Sequence, residues 1–411
     1  MELGDFTSLA AVYSRSRPGY PAELVDELMA VAGVTAGDPV ADLGAGTGLL
    51  TQSLAERGLA VTAIEPAPTL PQATPDADGM AAVPLWRARL PEGQCEPEGA
   101  PRYRQCANQV QYQVCNFTVA ADDPSPLCMS CRQTRTLPDL SVPENLPRWG
   151  RIEGAKRRLL YTLLQLGLAH PRSNDGPVYQ FLADLPGQPP VMTGHANGLI
   201  TLNVVEADDD ERVHRRVQLF EPYRTLLGHL RHESGHYYWD RLVRDHPQRL
   251  EGFRGLFGDE RADYMQALQN HYAAGDQRPD WRPSFVSAYA AAHPWEDWAE
   301  TWAHYLHMVD LLETAASYRT RIVVPGGEQP QTARPVDPFA NSSTSFDDWI
   351  GQWVPVTLLL NSLNRSLGHE DAYPFALGEQ ALVKLRFVHE LIAEVRQTAP
   401  APGQDLVTGT G

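Results

Sequence analysis

The spacing of hydrophobic positions changes several times along the chain, and each change predicts a different element. Two short apolar runs over 39–43 and 60–64 have the length of buried strands and flank a helical stretch over 49–57. From 151 onward, apolar residues recur three and four positions apart, as on one face of a helix. This spacing predicts helices over 151–166, from 222 to beyond 242, from 294 to about 312, over 349–363 and over 376–395, with a strand over 198–205. The pattern favours an α/β segment followed by a mainly helical α+β domain with a small sheet.

Composition divides the chain further. Residues 69–103 are rich in Pro, Gly and Ala without a sustained period, which is typical of a linker, and 324–345 is predicted to be a loop. Four of the five cysteines lie between 106 and 131. We therefore predict an α/β segment over 1–68, a linker over 69–103, a cysteine-rich module over 104–150, the main domain over 151–395 and a disordered tail over 396–411.

The charge balance excludes several classes of protein. The 411 residues include 34 Lys and Arg against 51 Asp and Glu, a formal net charge of -17, which disfavours binding to the phosphate backbone of nucleic acids. No apolar run reaches the roughly 18 residues of a membrane span. The first ten residues lack a basic region followed by an apolar one, so we predict no secretory signal. We expect a cytoplasmic protein without nucleic-acid or membrane partners, and the sequence leaves its oligomeric state open.

The strongest chemical signal is a pair of histidines one helical turn apart. His232 and His236 stand at i and i+4 within a predicted helix, so both side chains project from one face and can share a Zn²⁺ ion. Glu233 lies at the edge of that face, where its carboxylate can take a proton from a water molecule that the metal acidifies. The pair therefore predicts a catalytic zinc site with Glu233 as general base. The alternative is a chance pair among the 13 histidines of the chain.

A catalytic zinc site needs a third protein ligand and keeps one position for water. Glu296, Glu300 and His304 lie at successive i, i+4 steps of a predicted helix and therefore share one face. We predict that Glu296 is the third ligand. Glu300 and His304 are then predicted to be partners that orient the ligating histidines.

Two further observations bear on the choice of ligand. Trp295, Trp298 and Trp302 occupy the other side of the same helix and are predicted to be core residues. Glu260 and Asp263 are the alternative ligands, although the charged start of a helix accounts for both of them.

Four cysteines can form a second zinc site. Cys106, Cys115, Cys128 and Cys131 are separated by eight, twelve and two residues, and the last pair has the spacing of a knuckle that holds tetrahedral Zn²⁺ through thiolates. Four thiolates close the coordination shell, so this site would be structural. The alternative is four reduced cysteines, because the first pair lacks the two-residue spacing. Cys95 is left over.

The motif region resembles known metallopeptidases. A His-Glu-x-x-His helix, followed by Tyr289 and then by Glu296, is similar to the gluzincin arrangement of lethal-factor-type bacterial metallopeptidases. More closely, most of the chain from 106 to 395 resembles a bacterial family of zinc-binding metallopeptidases. The matching pieces are 106–108, 128–132, 138–141, 228–239 and 293–297. The resemblance implies a zincin-like fold and assigns Tyr289 the donation of a hydrogen bond to the developing oxyanion.

The resemblance has two further implications. Members of the family often begin with a zinc ribbon that carries two Cys-x-x-Cys knuckles, and this chain has no such pair before Cys106, so we expect the ribbon to be absent or replaced. The strand over 198–204 would be the edge strand beside the active-site helix, where an extended peptide can add itself through main-chain hydrogen bonds.

The N-terminal segment resembles a different family. Residues 13–21 look like the lead-in of a class I S-adenosylmethionine methyltransferase, and 42–48 resemble its first glycine-rich loop. The resemblance assigns vestigial cofactor binding to Asp42, Gly44, Gly46, Gly48 and Glu65, the last as the ribose-binding acid. A complete sheet of this kind needs several more strands than the segment supplies. We therefore predict a truncated, Rossmann-like half-fold that does not bind S-adenosylmethionine.

These observations lead to three hypotheses of function. The leading one is a zinc-dependent metallopeptidase that cleaves a peptide or protein substrate, with one catalytic and one structural zinc ion. The second is an S-adenosylmethionine-dependent methyltransferase. The third is a non-catalytic zinc protein whose cysteine module binds a partner. Metal content separates the first from the second. The variant Glu233→Gln separates the first from the third, because it keeps the ligands and removes the base.

Overall fold

The computed structural model describes residues 22–43, 49–64, 103–169, 176–185, 187–208, 225–275, 280–324, 331–339 and 345–398. The chain divides into two compact units, Met1–Cys128 and Met129–Gly411. Nearly all of the predicted linker and of the predicted tail lies outside the described residues. In the described part of the chain, no helix is long and apolar enough to cross a lipid bilayer.

The first unit begins with an α/β segment. It contains helix α1 (Ala22–Ala32), strand β1 (Pro39–Leu43), helix α2 (Leu49–Ala55) and strand β2 (Ala60–Ile64). β1 and β2 pair in parallel, and a helix is the usual connection between two parallel strands. No third strand joins them among the residues that the structure describes. The elements predicted between 39 and 64 are therefore confirmed.

A hairpin with an inserted helix follows in the same unit. It consists of strand β3 (Tyr103–Gln105), helix α3 (Ala107–Tyr112) and strand β4 (Thr118–Ala120), with β3 and β4 antiparallel. Helix α3 ends at Tyr112, and the next residue, Gln113, has a φ of 59° in the left-handed region that often terminates helices. The turn brings the chain back, so that the Cys106 N–H donates to the carbonyl oxygen of Phe117 at 3.4 Å.

The second unit contains a four-stranded sheet. Its strands are β5 (Thr134–Thr136), β6 (Val178–Leu182), β7 (Gly194–Ala196) and β8 (Leu199–Asn203), in the spatial order β5, β6, β8, β7. β8 pairs with β6 in parallel and with β7 antiparallel. The prediction that 198–204 forms an edge strand is therefore wrong. Asn197 and Gly198, with φ of 50° and 80°, form a tight hairpin turn that places β7 on that edge.

Helices make up most of the second unit. They are α4 (Asn145–Gln165), α5 (Leu226–Trp239), α6 (Pro247–Phe257), α7 (Tyr264–Ala274), α8 (Pro294–Ser317), α9 (Phe346–Ser366) and α10 (Glu379–Thr398). β9 (Ile322–Val324) and β10 (Gln331–Ala333) form an antiparallel pair. β10 lies within 324–345, where the sequence predicts only a loop, so that prediction is wrong there. With small sheets beside these helices, the fold is α+β, as predicted.

Capping residues determine where the two central helices begin. Helix α5 begins at Leu226 because the Thr225 hydroxyl accepts a hydrogen bond from the Gly228 N–H at 2.9 Å. The predicted start at 222 lies outside the described residues. Helix α8 begins at Pro294, as predicted, and the His293 side chain caps it.

The core of the second unit is built around α5 and α8. Trp298 and Trp302 on α8 are fully buried, as predicted. The Trp298 indole N–H donates to the Gly235 carbonyl oxygen on α5 at 2.8 Å, so this large apolar side chain also has its polar group paired. Trp295 is only partly buried, and its ring centroid lies 4.2 Å from that of His236. The prediction that Trp295 is a core residue is therefore wrong.

Candidate metal centres

Two helices supply the residues of the first centre. His232 and His236 are one turn apart on α5, both are buried, and their ring centroids are 5.0 Å apart. Glu296 lies in the first turn of α8, where the helix N-terminus favours a negative charge, and it is 1% exposed. Two imidazoles at i and i+4 with a carboxylate from a second helix form a donor set that suits Zn²⁺.

The ligand atoms of these three residues converge. Oε2 of Glu296 lies 3.0 Å from Nε2 of His232 and 3.7 Å from Nε2 of His236. One possible ligand atom of each residue lies within 4.8 Å of the other two. In a tetrahedral zinc shell with bonds of about 2.0–2.2 Å, neighbouring ligand atoms are about 3.3 Å apart. The three atoms therefore have a spacing at which they could hold a metal ion.

The hydrogen bonds around these atoms fit a metal ion. Nδ1 of His232 lies 2.7 Å from Oε1 of Glu300. Because an ionised carboxylate only accepts, Nδ1 carries the proton, and Nε2 of the neutral ring has a lone pair. That lone pair faces Oε2 of Glu296, which has no hydrogen-bond partner in the described part of the chain. Two facing lone pairs repel each other, and either a proton or a metal cation between them removes the repulsion.

The charges around the centre couple metal binding to protonation. Burial lowers the pKa of His232, but Glu296 and Glu300 outweigh this effect and raise it well above its ordinary value. Burial raises the pKa of Glu296, but His236 and His232 hold it well below its usual range. A proton and a metal ion therefore compete for the same lone pairs.

Glu300 and His304, predicted to orient the histidines, have different partners. Oε1 of Glu300 accepts from Nδ1 of His232, and its Oε2 accepts from the Ser287 hydroxyl at 2.6 Å. Such a contact fixes the tautomer and the orientation of the ring. Nδ1 of His304 instead hydrogen-bonds the Tyr373 hydroxyl, and burial lowers the pKa of His304 to about 4. The structure therefore places Glu300, but not His304, against a histidine of the centre.

Glu233 and Tyr289 lie beside the three converging side chains. Glu233 is 8% exposed, and its Oε2 has no hydrogen-bond partner among the described residues. Tyr289 begins a short 3-10 helix, Tyr289–Ala292, and its ring centroid lies 5.9 Å from that of His232. Burial and the charge of Glu296 raise the pKa of Tyr289 well above its ordinary value, and Glu233 adds to the effect. Tyr289 is therefore a neutral hydrogen-bond donor at neutral pH.

Sequence reasoning missed a second tyrosine at the centre. The Tyr264 hydroxyl, at the start of α7, donates to Oε1 of Glu296 at 2.7 Å. Burial and the charge of Glu296 raise the pKa of Tyr264, while a hydrogen-bonding interaction with Tyr289 acts in the opposite direction. No motif connects a tyrosine at a helix start with a carboxylate 32 residues later, so only the structure identifies this contact.

The alternative ligands have other partners. Oε2 of Glu260 accepts from Nε of Arg254 at 2.9 Å. Asp263 caps α7, and its carboxylate accepts from the Gln266 N–H at 3.0 Å. The structure brings Glu296 to the two histidines and uses Glu260 and Asp263 in local contacts.

Four cysteine thiols form the second cluster. Cys106, Cys115, Cys128 and Cys131 are buried, and their sulfur atoms lie within 4.8 Å of one another. The sulfurs of Cys115 and Cys128 are 3.6 Å apart, close to the roughly 3.8 Å expected for zinc–sulfur bonds of about 2.3 Å in a tetrahedral shell. The Cys128 N–H also donates to Sγ of Cys106 at 3.3 Å, and such a donor favours the charged form of the sulfur. The four sulfurs could therefore hold a zinc ion.

Residues 145–391 match the family model described as "Putative zinc-binding metallo-peptidase". The matched region covers more than half of the chain and contains His232, His236 and Glu296. The chain belongs to this family. Residues 78–142 match the model of a zinc-ribbon domain. This matched segment contains the four clustered cysteines. The expectation that the zinc ribbon of the family is absent or replaced is therefore wrong.

Relatives of this family member occur in mycobacteria. The chain is 44% identical over 294 residues to an uncharacterized protein of Mycobacterium tuberculosis and equally to one of Mycobacterium bovis. The match covers 71% of this chain and 82% of each relative. No solved structure matches the chain.

The N-terminal segment is similar to a different protein. It is 48% identical over 65 residues to an uncharacterized methyltransferase of Mycobacterium tuberculosis. The match covers 16% of this chain and 25% of that relative. Asp42 lies on β1. The other predicted cofactor residues, Gly44, Gly46, Gly48 and Glu65, lie outside the described residues, as does Cys95. The predicted failure to bind S-adenosylmethionine stays a prediction.

Proposed function

We propose that this chain is a zinc-dependent metallopeptidase that hydrolyses peptide bonds in a peptide or protein substrate. The observation that carries the proposal is the convergence of His232, His236 and Glu296, whose lone pairs face one another in a buried site. Three protein ligands leave one of four zinc positions open, which is the property that distinguishes a catalytic zinc site from a closed structural one. When bound, Zn²⁺ supplies Lewis acidity, which acidifies water and polarises a carbonyl group.

Glu233 is the general base in this proposal. It follows His232 on α5, and the lack of any hydrogen-bond partner for its buried Oε2 among the described residues suits that atom to accept a proton. In hydrolysis the oxygen of water bonds to the carbonyl carbon, and Glu233 takes the proton that the water gives up. The carbon–nitrogen bond then breaks as Glu233 passes this proton to the leaving amine, which restores the carboxylate.

Tyr289 is the proposed donor to the oxyanion. Its ring lies beside that of His232, and its raised pKa keeps the hydroxyl protonated at neutral pH. A neutral phenol can donate to the carbonyl oxygen as negative charge develops on it. The short helix that carries Tyr289 directly precedes α8, so one segment supplies both this donor and Glu296.

The cysteine cluster is proposed to hold a second zinc ion with a structural role. Four thiolates complete a tetrahedral shell and leave no position for water, so the ion would contribute to folding without taking part in chemistry. The match to a zinc-ribbon model supports this assignment. The proposed content is therefore one catalytic and one structural zinc ion per chain.

The proposed substrate is a peptide in an extended conformation. β7 is one of the two edge strands of the four-stranded sheet in the described part of the chain, and it contacts α5. A peptide can add to such an edge through main-chain hydrogen bonds, which would place its backbone beside the helix of the two histidines. The net charge of -17 disfavours a nucleic-acid partner, and we propose a cytoplasmic location on the sequence features described above.

An unbiased peptide mixture with mass-spectrometric detection tests the proposal. The purified protein should cleave peptides, a zinc chelator should stop the cleavage, and added Zn²⁺ should restore it. His236→Ala should bind one zinc ion fewer than the wild type and should cleave nothing. Cleavage that survives both the chelator and His236→Ala would contradict the proposal. Zinc binding without any cleavage would support the non-catalytic alternative.

A further inference from the structure

Tyr264 contacts the first metal centre from outside the set of proposed ligands. We infer that it is a positioning residue, whose hydroxyl holds the Glu296 carboxylate so that a single oxygen is presented to His232 and His236. The inference rests on the metal site proposed above and concerns the orientation of its third ligand.

The two oxygens of Glu296 have different surroundings. Oε1 accepts from the Tyr264 hydroxyl at 2.7 Å, whereas Oε2 lies 3.0 Å and 3.7 Å from the Nε2 atoms of His232 and His236. A partial rotation about the last side-chain bond would turn Oε1 away from the Tyr264 hydroxyl. In a side chain that is 1% exposed, this rotation would break the hydrogen bond without a replacement from water. The Tyr264 hydroxyl therefore holds the carboxylate in the orientation in which one of its two equivalent oxygens faces the histidines.

The same hydrogen bond limits how many oxygens Glu296 can offer. A carboxylate with both oxygens available can bind a metal ion through both, and the second oxygen would then take the position that a catalytic zinc ion keeps for water. Because Tyr264 engages Oε1, Glu296 presents one ligand atom. Tyr264 thus affects the coordination number of the metal ion as well as the affinity of the site for that ion.

Tyr264 is itself held against the start of α8. Its ring contacts the His293 ring edge-on, with centroids 5.3 Å apart, and also the Trp295 ring at 6.1 Å. Nε2 of His293 donates to the Ala262 carbonyl oxygen at 3.1 Å, and its Nδ1 accepts from the Trp295 N–H at 3.1 Å. These contacts tie the residues before α7 to the cap of the helix that carries Glu296. The hydroxyl is therefore placed by packing that does not depend on the carboxylate.

The zinc affinity of Tyr264→Phe in the full-length protein tests the inference. Phenylalanine keeps the ring contacts with His293 and Trp295 and removes only the hydroxyl. We expect zinc binding at the centre to weaken by about 10- to 100-fold, the usual effect of losing a partner that orients a metal ligand. Titration against a chromophoric chelator measures this affinity. The measured binding step belongs to this centre if it is missing in His236→Ala.

Tyr305→Phe is the matched control. Tyr305 also lies on α8, but its hydroxyl bonds Nδ1 of His389 at 3.1 Å. This control should keep the wild-type zinc affinity, although both variants lose one hydroxyl group and some thermal stability. Substitution of Co²⁺ gives a second measurement, because the visible spectrum of the ion depends on its coordination number. The spectrum of Tyr264→Phe should differ from that of the wild type, and the spectrum of Tyr305→Phe should not.

The possible outcomes separate the inference from the proposed function. Equal zinc affinities and equal Co²⁺ spectra in Tyr264→Phe and the wild type would overturn the role of Tyr264 and leave the proposed function intact. A loss of affinity no larger than that of Tyr305→Phe would overturn it as well, since the effect would then be structural. A wild type without a His236-dependent zinc ion would overturn both the proposed metal site and the inference.

Discussion

Gly235 on α5 lies so close to α8 that a Cβ added to it would stand 2.9 Å from the Cα of Ala299. Gly235 directly precedes His236, and Ala299 lies between Glu296 and Glu300 on the facing helix. The two helices therefore meet at the level of the metal-site side chains. The lack of a side chain at Gly235 sets how closely Glu296 can approach the histidines.

Gly235→Ala should impair both folding and metal binding. The added methyl group would meet the backbone of Ala299 and the Cβ of Trp302, and neither atom can swing aside as the end of a flexible side chain can. Such overpacking costs about 1–3 kcal/mol of unfolding free energy. Zinc affinity should fall as well, because separating the helices moves Glu296 away from the histidines. Urea denaturation and zinc titration measure the two effects.

Gly255→Ala on α6 is the matched control for this substitution. A Cβ at Gly255 would have no atom within 4 Å, so the change replaces glycine by a better helix former without a clash. It should raise stability by up to about 1 kcal/mol and leave zinc binding unchanged. If Gly235→Ala behaved like this control, the helix crossing would not determine the geometry of the centre.

The two clusters should bind zinc independently. Metal analysis of the purified protein should approach two Zn²⁺ per chain, because one cluster offers four thiolates and the other offers two imidazoles and a carboxylate. Cys128→Ser should lose one ion and lower the thermal stability, since a structural zinc ion contributes to folding. His236→Ala should lose the other ion. A content of one zinc ion that survives Cys128→Ser but not His236→Ala would contradict the structural site.

Acid should destabilise the fold through histidines that burial keeps neutral, and His304 and His389 are two of them. Burial lowers the pKa of His304 to about 4, and burial together with Arg386 lowers that of His389 to about 4. In the unfolded chain both groups titrate near the ordinary value of about 6.5. As the pH falls from about 6.5 to about 4, the unfolded state therefore binds protons that the folded state does not bind. Above a pH of about 6.5 the two neutral histidines do not lower the free energy of unfolding. As the pH falls from about 6.5 to about 4, their proton uptake in the unfolded state lowers it.

Thermal melting as a function of pH measures the effect. His389→Gln should show a smaller loss of melting temperature between pH 7 and pH 4 than the wild type, because one of the histidines with a lowered pKa no longer titrates. The exposed residue His369 provides the control His369→Gln, which should follow the wild type. An unchanged pH dependence in His389→Gln would show that this histidine is not the titrating group.

How much of the site the sequence predicts depends on the range of the interactions. His232 and His236 share a face because of helical periodicity alone, and Glu296 joins them through one helix pair, as predicted. Their role as ligands stays a prediction. Tyr264 was not predicted, because its contact with Glu296 depends on packing between two helices rather than on spacing along the chain.

The errors in the fold have equally specific causes. The hydrophobic run over 198–204 fits an edge strand and an inner strand equally well, whereas Asn197 and Gly198 are the usual residues of a tight hairpin turn and could have revealed β7. Trp295 follows the helical face of the other tryptophans, but it lies in the first turn of α8, where it contacts His236.

The cysteine module shows why spacing alone was insufficient. Cys106 and Cys115 lack the short spacing of a zinc knuckle, so the sequence left reduced cysteines as an alternative. Helix α3 and the left-handed Gln113 bring the chain back and place both sulfurs in the cluster. A rule based on spacing cannot detect a knuckle that is completed by an inserted helix.

Peptide cleavage by Glu233→Gln and by the wild type, compared at equal zinc content, tests directly whether Glu233 is the general base of a zinc-dependent hydrolysis. The substitution keeps the size of the side chain and all three proposed ligands, and it removes the group that accepts the proton. Zinc content should therefore be unchanged, while the cleavage rate should fall by about 10²- to 10⁴-fold, the usual contribution of a general base. Equal cleavage by the two zinc-loaded proteins would contradict the role of Glu233 as the general base.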